Sequence, residues 1–131
     1  MKNFSLVLFF FFALVVSAVA QDAPASSEAV DKASTSVSRL MVQSMGLNES
    51  EYIQIKALNQ DRLAKAAEVA KMYSNDTEMR DARLKEIEGN FESDLFKILN
   101  ARQVDAYAAF KARPEGNFLS MVNQVSKSSK K

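Results

Sequence analysis

The chain has no cysteine and no histidine among its 131 residues. A Ser-His or Cys-His nucleophile pair therefore cannot be assembled, and the nitrogen and sulfur ligands of an ordinary zinc site are missing. Without cysteine there is no disulfide framework of the kind that small exported domains often use, so the fold must stand on apolar packing. Proline occurs only at Pro24 and Pro114, and glycine only at Gly46, Gly89 and Gly116. Nothing between the two prolines forces a chain break, and strand-like alternation is missing. A charge excess is lacking too, with 17 basic and 16 acidic side chains. A nucleic-acid partner would call for a basic excess or stripe, so none is expected.

Apolar sequence is concentrated at the start. Lys2 is followed by an apolar stretch from Phe4 to Val16, including Phe9, Phe10, Phe11 and Phe12, and then by Ser17-Ala18-Val19-Ala20 ahead of Gln21. Charge, grease and small residues in that order make a secretory signal peptide over residues 1–20. The run is shorter than the roughly 20 apolar residues that span a bilayer. No membrane insertion is expected after cleavage, and no cysteine is present to carry a lipid anchor. Lys2 is the one charge removed with the leader, so residues 21–131 carry 16 charges of each sign. A chain of that length buries about two-thirds of its unfolded surface, and a homodimer would add to its stability. Residues 21–25 are expected to be a short linker, and residues 26–113 a helical domain. Residues 114–131 are expected to hold a short helix and a basic, disordered tail.

Asparagine supplies the punctuation. Asn48-x-x-Glu51, Asn75-x-x-Glu78 and Asn100-x-x-Gln103 each put a capping side chain three residues before Glu or Gln. In such a box each residue's side chain satisfies the other's orphan backbone N–H. Leu47 with Tyr52, and Leu99 with Val104, add hydrophobic staples to the first and third. The segments between read as helices. Leu84, Ile87, Phe91, Leu95 and Ile98 stack on one face of the Asp76–Leu99 segment. Tyr52, Ile55, Leu58, Ala66, Val69 and Tyr73 make a stripe in the preceding segment, which Asn59 and Arg62 interrupt. Val30, Ala33, Val37, Leu40 and Met41 form an upstream amphipathic stretch that ends at Gly46. Val104, Tyr107 and Ala108 line a short helix that stops before Pro114, and Phe118, Met121, Val122 and Val125 allow one or two further turns. The expected class is all-α: a thin four-helix fold in which one long antiparallel hairpin carries shorter flanking helices.

Leu99-Asn100-Ala101-Arg102-Gln103 resembles the second L-T-x-x-Q motif of the Spy/CpxP group of periplasmic proteins, and Leu47-Asn48-Glu49-Ser50-Glu51 resembles the first. Asn replaces Thr in both copies, and Glu replaces Gln in the first. The resemblance runs from about Leu47 to Ala112. It implies a cradle of four helices, usually an antiparallel dimer, and a periplasmic protein. Its members hold unfolded envelope proteins without ATP or modulate the envelope stress response. The motif residues in this chain are Leu47, Asn48, Glu51, Leu99, Asn100 and Gln103.

No catalytic residue, cofactor or metal is expected, and hence no enzyme. Met41, Met45, Met72, Met79 and Met121 are scattered singly. Thioethers suit Cu(I), but packing is the simpler account of them. Glu86, Glu88, Glu92 and Asp94 are read as a solvated face paired with Arg83, Lys85 and Lys97. The glycosylation sequons at Asn48 and Asn75 are read as caps. Met79, Ala82 and Phe96 in one central segment, and Ile53, Ala57, Ala64 and Ala67 in the other, lie off the main stripes, and Met72, Tyr73, Met79 and Phe96 are the candidate surface for an unfolded client or a folded envelope partner. Docking onto such a folded partner, as a regulatory or structural protein, is the alternative function.

Overall fold

The computed structural model describes residues 27–128. The leader over residues 1–20, the linker over 21–25 and the last three residues of the tail lie outside that range. Helix takes up 87% of the described residues, and there is no strand among them. Five α-helices appear there, the four expected and the short one expected within residues 114–131: α1 (Glu28–Met45), α2 (Glu49–Met72), α3 (Thr77–Ile98), α4 (Ala101–Lys111) and α5 (Phe118–Ser128). A short 3-10 turn, Pro114–Gly116, stands between α4 and α5. No helix among the described residues is long and apolar enough to cross a membrane.

Local chemistry sets the helix ends. Ser27 accepts the Val30 N–H at 3.2 Å to start α1. Gly46 ends it in the left-handed region at φ 65°, where a side chain would be strained. Two of the expected capping boxes form in full. Asn48 Oδ1 accepts from Glu51 N at 2.8 Å while Glu51 Oε2 accepts from Asn48 N at 2.9 Å. Asn100 and Gln103 repeat the exchange at 2.9 and 3.0 Å. The box at Asn75 does not form. Asp76 N donates to Tyr73 O at 3.1 Å, which closes the turn one residue later than expected, and Asp76 Oδ1 accepts the Met79 N–H at 3.1 Å. Aspartate caps as well as asparagine and adds negative charge at the helix N-terminus. Ser74, preceding Asn75, offers no apolar staple for the earlier start.

Helix α2 packs against α1, α3 and α5, and α1 also touches α4 and α5. The core runs through Val30, Val37, Met41 and Met45 of α1, Ile55, Leu63 and Ala66 of α2, and Leu84, Phe91 and Leu95 of α3. The α3 stripe is as expected, with Ile87 and Ile98 half-buried. The α2 stripe is corrected: Asn59 and Arg62 are buried within it, whereas Tyr52, Leu58, Val69 and Tyr73 are half-buried. In α4 the buried face is Gln103, Tyr107 and Phe110, and Ala108 is exposed. Helix α5 spans 11 residues and buries Phe118, Met121, Val122 and Val125. Ser126, Lys127 and Ser128, expected in a disordered tail, complete it. A Cβ at Gly116 would lie 2.2 Å from Phe110 O, so the 3-10 turn is pressed onto the end of α4.

Candidate functional site

The two motif copies meet. Gln103 Nε2 donates to Glu51 Oε2 at 3.1 Å, joining residues 52 apart in sequence. One carboxylate oxygen thus serves its own capping box and the neighbouring one. Leu47 and Leu99 are buried beneath the two boxes, which brings the starts of α2 and α4 side by side. Arg113 adds a further tie at this end, donating to Ser44 Oγ at 3.0 Å.

A polar node occupies the middle of the core. Arg62 is 3% exposed, and each nitrogen of its guanidinium has a partner. Nε donates to Asn59 Oδ1 at 3.0 Å, Nη1 to Glu88 Oε2 at 2.8 Å, and Nη2 approaches Met121 Sδ at 3.8 Å. Its plane lies 3.7 Å from the Phe91 ring centroid and 5.2 Å from that of Phe118, a distance range in which cation–π attraction operates. Asn59 passes the network to α1 through Ser38 Oγ at 2.9 Å and Met41 Sδ at 3.4 Å. On the other side Glu88 lies 3.9 Å from Lys111 Nζ, and Lys111 pairs closely with Glu92. Tyr107 donates its hydroxyl to Glu92 Oε1 at 3.3 Å.

Burial dominates the electrostatics of the node. It pushes Arg62 below its ordinary pKa, against the pull of Glu88. It raises Glu88 above the usual carboxylate value, against the pull of Arg62. Tyr107 is pushed up by burial, then by the Glu88 charge, and stays a neutral donor. Because the pair is buried, loss of either partner leaves an uncompensated charge in the core. The expected solvated face of α3 is corrected accordingly: Glu88 and Glu92 turn inward to this node, while Glu86 and Asp94 make surface pairs with Arg83 and Lys97.

The four residues expected to form a client surface are not brought together. Met72 is 71% and Met79 40% exposed, flanking the α2–α3 turn, with Tyr73 half-buried between them. Phe96, 43% exposed, packs edge-on against Tyr107 with ring centroids 5.9 Å apart. It lies seventeen positions along α3 from Met79, about 25 Å at helical rise. Ile53 on α2, off its main stripe, is exposed as its position suggests, and Leu119 on α5 is an exposed apolar side chain that was not anticipated.

Arg62, Asn59 and Glu88 were missed as a site. A signal existed: Ile55, Asn59, Arg62 and Ala66 recur at helical spacing, so the two polar residues are in phase with the apolar ones. Among the described residues, no group of three or more His, Cys, Asp or Glu side chains could hold a metal ion. Met41, Met45 and Met121 are buried in the core. No protein family, curated protein or solved structure matches the chain.

Proposed function

We propose that this is an exported, periplasmic, Spy/CpxP-like helical protein. It holds unfolded envelope proteins without ATP, or acts as an accessory of the envelope stress response, and performs no chemistry of its own. In this reading α2 and α3 form a long antiparallel hairpin, thin in cross-section, and two copies pair through their helical faces. The observation that carries the proposal is the meeting of the two L-N-x-x-E/Q boxes through the Glu51–Gln103 hydrogen bond. Leu47 and Leu99 lie beneath them, so both motif copies belong to one junction rather than to unrelated helix starts. The sequence of the first twenty residues supports export, and the lack of histidine and cysteine supports a binding role over catalysis.

The direct test is whether purified residues 21–131 suppress aggregation of a denatured protein at near-equimolar ratio without nucleotide. Suppression is the expected result, and its absence removes the holding role. Exposed Met72 and Met79 at the α2–α3 turn favour one second reading, a regulatory protein that docks this tip onto a folded envelope partner. Capture of a single folded partner that is lost in Met72→Ser/Met79→Ser, with indifference to unfolded clients, would select it.

A further inference from the structure

Two glycosylation sequons stand in the sequence on equal terms, Asn48-Glu49-Ser50 and Asn75-Asp76-Thr77, and the fold treats them differently. At Asn48 the side-chain oxygen accepts from Glu51 N at 2.8 Å, and the backbone N–H donates to Glu51 Oε2 at 2.9 Å. The same carboxylate is bonded to Gln103 of α4, and Leu47 is buried beside the cap. Turning the Asn48 carboxamide outward therefore breaks the reciprocal cap of α2. Ser50, the third residue of this sequon, lies within α2, and its hydroxyl accepts from Gln54 Nε2 at 3.4 Å.

Asn75 has none of these ties. It is the third residue of the turn that Asp76 N closes onto Tyr73 O at 3.1 Å, and it lies outside both α2 and α3. Asp76 caps α3, so the Asn75 carboxamide is not needed to start the helix. No side-chain hydrogen bond holds Asn75 or Thr77 among the described residues. Every residue from Ser74 to Met79 is exposed. With its capping role gone, the second sequon keeps an open turn, a free carboxamide and a free hydroxyl two residues on.

We infer that Asn75 is an acceptor site for an N-linked oligosaccharide and that the folded chain withholds Asn48 from the same modification. The co-substrate is an oligosaccharide carried on a polyprenyl pyrophosphate, in the membrane that bounds the exported compartment. Asn75 Nδ2 forms the new bond to the anomeric carbon of the first sugar. The bond from that carbon to the pyrophosphate oxygen breaks, the polyprenyl pyrophosphate leaves with the electron pair, and one amide proton passes to a base of the transferase. A glycan there stands beside Met72 and Met79, 71% and 40% exposed, and shields both. The site goes beyond the holding role and does not depend on it, but a glycan on this tip is incompatible with docking the same tip onto a folded partner.

The folded, processed chain, incubated with a purified single-subunit oligosaccharyltransferase and its lipid-linked donor, tests this by intact mass and peptide mapping. Free peptides of residues 44–53 and 71–80 give each sequon its rate outside the fold. One glycan per chain is expected, at Asn75 and at a rate close to that of its peptide. Asn48 should fall at least about fivefold below its own peptide, the factor that breaking one helix cap imposes. Asn75→Gln and Thr77→Ala should each abolish the mass gain, and Thr77→Ser should keep it. Glu51→Ala, which removes half of the first box, should raise transfer to Asn48 and leave Asn75 unchanged. Absence of transfer to the 71–80 peptide, or to a folded chain whose peptides are both modified, overturns the inference. An equal drop at both asparagines on folding, or a glycan at Asn48 alone, overturns it as well.

Discussion

The two ends of α2 are built from similar sequence and behave differently. At its start, Asn48 caps the helix reciprocally with Glu51, Leu47 is buried beneath, and Gln103 reaches across from α4 to the same carboxylate. At its end, Asn75 stands three residues before Glu78 but caps nothing, and Asp76 takes over with a single bond. Met72 and Met79 remain exposed around that turn. The difference is not in the capping chemistry, which both asparagines could supply. A box persists where an apolar staple and a neighbouring helix hold its register, and it yields to a competing cap one residue away where neither is present. One end of the molecule is thus locked and the other is a free tip.

Between the ends lies the Arg62 node, and breaking it should have the largest effect. Arg62→Met leaves Glu88 buried without its cation and is expected to lower stability by roughly 3–5 kcal/mol in urea denaturation. The double variant Arg62→Met/Glu88→Met should recover most of that loss, because both desolvation costs disappear together. A single-variant loss under about 1 kcal/mol would mean that the node is hydrated.

The locked end should respond less, but measurably. Asn48→Ala and Asn100→Ala are each expected to cost about 1 kcal/mol. A double-mutant cycle between Glu51→Ala and Gln103→Ala should return a coupling of at least about 0.5 kcal/mol. Strict additivity would show that the two boxes stabilise their helices separately.

The dependence on pH offers a finer comparison. Burial holds the Glu88 carboxyl above its ordinary value of 4.5. The folded chain therefore binds this proton at a higher pH than the unfolded chain does. Between the folded value and 4.5, this group's contribution to stability rises as pH falls, opposite in sign to a carboxylate whose pKa is depressed by pairing. Glu88→Gln should remove that component, and an unchanged stability-versus-pH profile would count against the described burial. At the free tip the smallest effect is expected: Asn75→Ala should stay within about 0.5 kcal/mol, while Asp76→Ala should cost about 1 kcal/mol. The reverse order would restore the earlier helix start.

Much of this architecture could be read along the chain. The starts of α1, α2 and α4, the Gly46 stop and the Leu84–Phe91–Leu95 face rest on bonds or periodicities a few residues long, and the chain carries both partners within that span. The candidate site was far less legible. Arg62 and Asn59 read as breaks in a stripe because polar side chains mostly face solvent, and Glu88 and Glu92 resemble any other solvated carboxylates of a charged helix. Their partners lie on other helices: Ser38 is 21 residues from Asn59, Glu88 is 26 from Arg62, and Met121 is 59 from it.

Sequence alone determined that the described chain is helical and where most of its helices begin, because caps, glycine stops and 3.6-residue periodicity act within one or two turns. Tertiary structure decided which polar residues became core. A buried charge is tolerable only where side chains distant in sequence converge to satisfy it, and only the packed fold brings them together. It also gave α5 its place over Arg62, which follows from how the helices pack rather than from any local preference.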